Sequence, residues 1–172
     1  MQNKHVKNLV LAAMLLAVGL ILPFFTGQIP EIGNMLLPMH LPVLLCGLIC
    51  GWKYGGAVGL ILPLLRSVIF SKPPIYPNAV TMAFELCAYG LLIGIFYGFF
   101  KKKNLLAVCG SLIPAMIGGR LIWGAAKAIL LGFSDNPFTL SLFWTEGFAT
   151  ALLGIVLQLI LIPTLMILVK KS

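Results

Sequence analysis

Six ionisable side chains stand where ionisable side chains are rare. Arg66, Glu85, Arg120, Lys127 and Glu146 lie inside long apolar runs, and His40 stands near the start of another. At mid-membrane each charge costs roughly 2.5–3.5 kcal/mol on insertion scales, so such residues mark a functional site by default. Their spacing adds a pattern. Arg120, Trp123, Gly124 and Lys127 recur at i, i+3, i+4 and i+7, which places them on one helix face. Two cations flanking an aromatic ring can hold an anionic group and stack a flat or apolar body. Asn78, Thr81, Glu85 and Tyr89 form a second polar stripe, and Glu146 lies one turn from Thr150 on a third, with Trp144 near its entrance. The candidate substrate-binding residues are therefore His40, Arg66, Asn78, Glu85, Tyr89, Arg120, Trp123, Lys127 and Glu146. The competing reading is structural pairing, Arg66 with Glu85 and Lys127 with Glu146, to tie helices together. Three cations against two acids leave one positive charge over, which a monoanionic ligand would balance.

Other chemistry finds few residues to work with. His5 and His40 are the only histidines, no HExxH stretch occurs, and Ser67, Ser111 and Ser141 have no neighbouring His. No catalytic residue, metal site or cofactor is expected, and the chain reads as a non-enzyme. Cys46 and Cys50 share a helix face without a second pair to complete a metal site. Like Cys87 and Cys109, they read as small apolar residues. No GxxxxGK stretch followed by Ser or Thr is present, so the chain supplies no nucleotide-binding loop of its own.

The elements that must position these residues follow from composition. Hydrophobic residues make up 60% of the 172, charged residues 9%, and the mean hydropathy is +1.08. A soluble domain carries roughly a quarter charged residues, so this surface faces lipid. A spanning helix needs about 20 apolar residues. Six runs qualify or nearly do, at 8–26, 35–50, 55–70, 78–100, 105–132 and 140–169. Between them lie GQIPEIGN, GWKYG, SKPPIYP, the three lysines Lys101, Lys102 and Lys103, and FSDNPFT. The sequence thus predicts an all-α membrane protein, a compact bundle of six transmembrane helices forming one domain over 1–172.

Charge orients the bundle. The net charge of +8 would suggest nucleic acid in a soluble protein, but here it follows topology, and no nucleic-acid partner is expected. Six crossings put Lys4, Lys7, Lys53, Lys101, Lys102, Lys103, Lys170 and Lys171 at one end, against Lys72, Glu31 and Asp135 at the other. Basic residues collect on the cytoplasmic side, so both termini are expected there. The ionisable residues within the runs then occupy the middle or outer half, and the inner half is apolar. That asymmetry suits a pocket open to the exterior and disfavours a continuous ion path. Gln158 is expected to make an interhelical hydrogen bond. Pro23, Pro63, Pro114 and Pro163 are expected to kink their helices. Ala13 and Ala17 lie one turn apart on the first helix, a small-xxx-small pattern that allows close helix approach, first of all within this chain.

Taken together, the length, the six runs, the alanine pair and the polar outer half resemble the substrate-capture (S) component of energy-coupling-factor vitamin transporters. LLPMHLPVLLCGLICGWKYG (36–55) and PPIYPNAVTMAFELCAYGLL (73–92) are the most family-like stretches. The resemblance implies a bacterial plasma-membrane protein that binds a small vitamin-like solute from outside and does not move it alone. A transmembrane scaffold subunit and two cytosolic ATPases would supply the work by tilting the whole subunit in the lipid. Ala13 and Ala17 would dock on the scaffold, although longer forms of the pattern have a small residue where this chain has Ile21. The loop at 26–37 would act as a lid. Pantothenate, with one carboxylate and hydroxyls, is the leading ligand, followed by a pyridoxine or pyrimidine-type vitamin. The alternative is a self-sufficient secondary transporter of a small organic anion, which would need a coupling route and usually an internal repeat.

Overall fold

A computed structural model describes residues 2–26, 35–132 and 139–171. The segments at 27–34 and 133–138, with Glu31, Asp135 and most of the expected lid, lie outside the described residues. Among the described residues these α-helices follow one another: α1 (Gln2–Ile21), α2 (His40–Ile49), α3 (Trp52–Phe70), α4 (Val80–Phe99), α5 (Leu105–Leu131), α6 (Leu140–Trp144) and α7 (Leu152–Lys171). A 3₁₀ turn, Leu22–Thr26, extends α1; a π-type turn at Ile75–Ala79, kinked at Tyr76 whose backbone is extended, precedes α4, and a second at Thr145–Ala149 follows α6. No strand occurs among the described residues. The protein is an all-helical membrane bundle.

Among the described residues five stretches are long and apolar enough to cross a membrane: Asn3–Phe25, Trp52–Phe70, Ile75–Phe99, Leu105–Leu131 and Leu152–Val169. The second run differs from the sequence expectation. Leu37 adopts a left-handed φ of 51° and residues 38–39 turn, so α2 starts only at His40. Its 10 residues rise about 15 Å, half the hydrocarbon thickness. Cys50 and Gly51, the latter at φ 95°, make the whole break between α2 and α3, so Lys53 lies in the first turn of α3 and not in a loop. The sixth run divides at the second π turn, where the Thr150 N–H and hydroxyl both donate to the Thr145 carbonyl at 2.8 Å. Side-chain caps begin two helices: the Asn104 carbonyl oxygen accepts from the Ala107 N–H at 3.0 Å, and the Thr139 hydroxyl accepts from Leu142 at 3.3 Å. Pro63, Pro114 and Pro163 lie within helices, whereas Pro23 falls in the 3₁₀ turn.

Helix α4 is the hub, packed chiefly on α3, α5 and α2. Glycines bring its backbone against that of α3: a Cβ on Gly90 would lie 2.1 Å from the Gly55 carbonyl oxygen, and one on Gly59 2.2 Å from that of Leu86. Small residues at such a seam let two helices gain dispersion contacts along their main chains. The short α2 is wedged against α1, α3, α4 and α7, with Val43, Leu44 and Cys46 fully buried. Both Cys46 and Cys50 are free thiols in this core. Outward, α3, α5 and α7 present large apolar side chains such as Val68, Ile129 and Ile160. Helix α1 turns Ala12 and Gly19 inward, while Ala13, Ala17, Leu9, Val10 and Met14 are exposed. Packing within this chain therefore leaves the alanine pair unused.

Candidate solute-binding site

The polar centre is built on Glu85, two turns into α4 and 2% exposed. Arg120 of α5 places Nη1 2.9 Å from its Oε1, and His40 at the start of α2 places Nε2 3.3 Å from the same oxygen. The His40 contact lies within ion-pair distance but off hydrogen-bond alignment. Tyr89, one turn below Glu85, meets the His40 ring edge-on at 5.1 Å and rests on Gly119, where a Cβ would come within 3.0 Å of its ring. Each partner thus arrives from a different helix, and the glycine beside Arg120 makes room for the tyrosine. Burying this many polar groups is costly unless each is paired. Pairing is incomplete. His40 Nδ1 and Arg120 Nε and Nη2 have no hydrogen-bond partner among the described residues. A guanidinium with two adjacent unmet donors matches the two oxygens of a carboxylate or phosphate.

Above this centre the α5 stripe continues. The Arg120 guanidinium lies 5.8 Å and the Lys127 ammonium 4.9 Å from the Trp123 ring. Lys127 also pairs with Glu146, which the second π turn carries. Single π turns cluster at functional sites because the extra residue re-aims a side chain. Phe143, Trp144 and Phe148 stack with one another beside Trp123, at centroid distances of 5.0–6.3 Å. Gly124 admits Phe143, and Gly147 faces the Trp123 ring. A cleft of about 210 Å³ between α5 and α7 borders the centre at Tyr89 and Arg120 and opens outward past the exposed Ile113, Ile117 and Leu152, with Met116, Phe148, Ile155 and Leu159 completing its lining.

Two sequence candidates are elsewhere. Arg66 does not reach Glu85. Its Nη1 donates to the Leu20 carbonyl oxygen at 2.5 Å, and its guanidinium lies 5.2 and 5.3 Å from the Phe24 and Phe70 rings. This contact satisfies a carbonyl that the end of α1 leaves open, which is a structural use of the charge. Asn78 is exposed on the first π turn, where its carbonyl accepts from the Thr81 hydroxyl at 2.9 Å. The pairing foreseen for Lys127 and Glu146 is present, whereas the one foreseen for Arg66 and Glu85 is replaced by Arg120 with Glu85.

Gln158 is the residue that sequence reasoning undervalued. It is 1% exposed, and neither side-chain atom has a hydrogen-bond partner among the described residues. The expected interhelical bond is not formed among the described residues. Ile155 and Leu159, which flank it on α7, line the cavity shared by Arg120 and Tyr89. A lone amide in an otherwise apolar helix was the available signal. Among the described residues no group of three His, Cys, Asp or Glu side chains is placed to hold a metal ion.

The bundle thus encloses a charged centre whose polar atoms are buried and incompletely bonded among the described residues. A family model for the substrate-specific component of ECF transporters matches residues 7–167. The chain belongs to that family, a substrate-binding membrane component of energy-coupling-factor transport. Comparison with curated proteins and with solved structures gives no match.

Proposed function

We propose that the chain captures a small anionic, vitamin-like solute at the Glu85–Arg120–His40 centre, entering from the outer face. Both termini then lie in the cytoplasm of a bacterial cell. The observation that carries this reading is the buried Arg120, with Nε and Nη2 unmet beside a carboxylate that already neutralises part of its charge. Trp123 offers a ring surface, Lys127 and Glu146 close the outer side, Tyr89 lines the floor, and Gln158 lies buried between the lining residues Ile155 and Leu159 in the chain. Pantothenate remains the leading ligand, ahead of pyridoxine or pyrimidine-type vitamins, because one carboxylate suits one guanidinium fork while its amide suits Gln158. Capture is the chain's whole part in transport. A transmembrane scaffold and two cytosolic ATPases complete the importer, and the subunit hands on its load by tilting as one body.

The test is direct binding of pantothenate to purified protein, together with native mass spectrometry for any solute that co-purifies. Arg120→Lys keeps the charge and removes the fork. It is expected to weaken binding by about 10- to 100-fold, as loss of a charge-assisted hydrogen bond of roughly 1.5–3 kcal/mol requires. Lys127→Ala should weaken it less, since Glu146 and solvent share that end. Unchanged affinity in both variants would remove the anion-site assignment.

A further inference from the structure

At the opposite end of the bundle a second cavity, of about 470 Å³, opens where α1 begins and α2 passes into α3. Lys4, His5, Asn8, Trp52, Lys53 and Tyr54 line it, and none of them belongs to the centre described above. Its frame is tied together: Asn8 Nδ2 donates to the Cys50 carbonyl at 3.3 Å, and the Tyr54 hydroxyl lies 3.5 Å from His5 Nδ1. Lys53 lies 5.4 Å from the Trp52 ring. The first turn of α3, which lines the cavity, has no side-chain cap, so its N–H groups add to the positive potential.

Among the described residues no acid balances this charge. The four acidic residues of the chain are Glu31, Glu85, Asp135 and Glu146. Glu85 is engaged by Arg120 and His40, and Glu146 by Lys127. Glu31 and Asp135 follow the far ends of α1 and α5 in the chain. Lys101, Lys102 and Lys103 come directly after α4, whose Gly94 packs on Trp52, and so crowd more cations to this end. Among the described residues nothing supplies the counter-charge, which an anionic ligand would provide. Beside the cavity α1 exposes Val6, Leu9 and Val10, and Trp52 is itself 46% exposed, the position of an aromatic residue at a membrane boundary. Charge and apolar flank together favour an amphiphile over a soluble anion.

We propose that this cavity binds the phosphate headgroup of an anionic membrane lipid, with its acyl chains along α1. Lys4 and Lys53 supply the charge, the first turn of α3 supplies N–H donors, and Trp52 holds the glycerol level. Basic pockets between membrane helices bind acidic lipid headgroups for these reasons.

Native mass spectrometry of the full chain, titrated with phosphatidylglycerol, phosphatidylcholine or inorganic phosphate, tests it. Phosphatidylglycerol should bind at least about tenfold more tightly than phosphatidylcholine and resist competition by millimolar phosphate. The Lys4→Gln/Lys53→Gln variant should lose that preference, whereas Lys101→Gln/Lys102→Gln, with the same charge change outside the cavity, should keep it. Equal binding of the two lipids would overturn the proposal. So would an equal loss in both variants, or displacement of the lipid by inorganic phosphate.

Discussion

Gln158 and Arg66 show at single-residue scale how one type of burial yields opposite meanings. Arg66 is buried but bonded to the Leu20 carbonyl and covered by two rings, so its charge serves the end of α1. Gln158 is buried and bonded to nothing among the described residues. An unmet buried amide costs roughly 1–3 kcal/mol, which selection removes readily unless something else meets it. Gln158→Leu should therefore raise or preserve the thermal midpoint of the ligand-free protein while weakening solute binding by about tenfold. Unfolding and binding measured on the same preparation separate the outcomes. A lower midpoint with unchanged affinity would make Gln158 a structural residue.

At the scale of elements, the glycine seam sets what α4 tolerates. At Gly90 a Cβ would meet the Gly55 main chain at 2.1 Å, whereas at Gly98 it would meet nothing within 4 Å. Gly90→Ala should lower the thermal midpoint markedly, at a cost of about 1–3 kcal/mol from overpacking. Gly98→Ala, in the same helix, should leave it unchanged or raise it slightly, since alanine is the better helix former by about 1 kcal/mol. Equal effects would mean that the seam is not tight. The same contrast explains what could be read from the sequence. Long apolar runs make α4 and α5 legible, because length and hydropathy are local properties. The late start of α2 was hidden, since it depends on a left-handed Leu37, a conformation that leucine rarely takes. The i, i+3, i+7 stripe on α5 was legible as a face. Which acid it meets was not, because Arg66 and Arg120 are equally good partners for Glu85 until the helices are packed.

For the whole molecule, the exposed alanine pair on α1 bears on assembly. Ala13 and Ala17 face outward among larger apolar residues, so a shallow small-residue groove remains on the surface. Lipid does not need such a groove, but another helix does. Ala13→Leu/Ala17→Leu should leave solute binding by the isolated protein within about twofold, since no packing partner in this chain is disturbed. Uptake into vesicles holding the scaffold and ATPase subunits should be lost. Sustained uptake would show that assembly uses another face.

The seam between α3 and α4 also has a mechanical consequence. Where main chain meets main chain there are no rotamers to rearrange, so that side of the bundle resists deformation. Across the centre, Met116 of α5 faces Phe148 of the second π turn and Leu159 of α7, side chains with torsions to spare beside a cleft of about 210 Å³. Most small-molecule pockets exceed about 300 Å³. The seam therefore predicts that a solute needing more room displaces α7 and not α4, whose side acts as a fixed anvil.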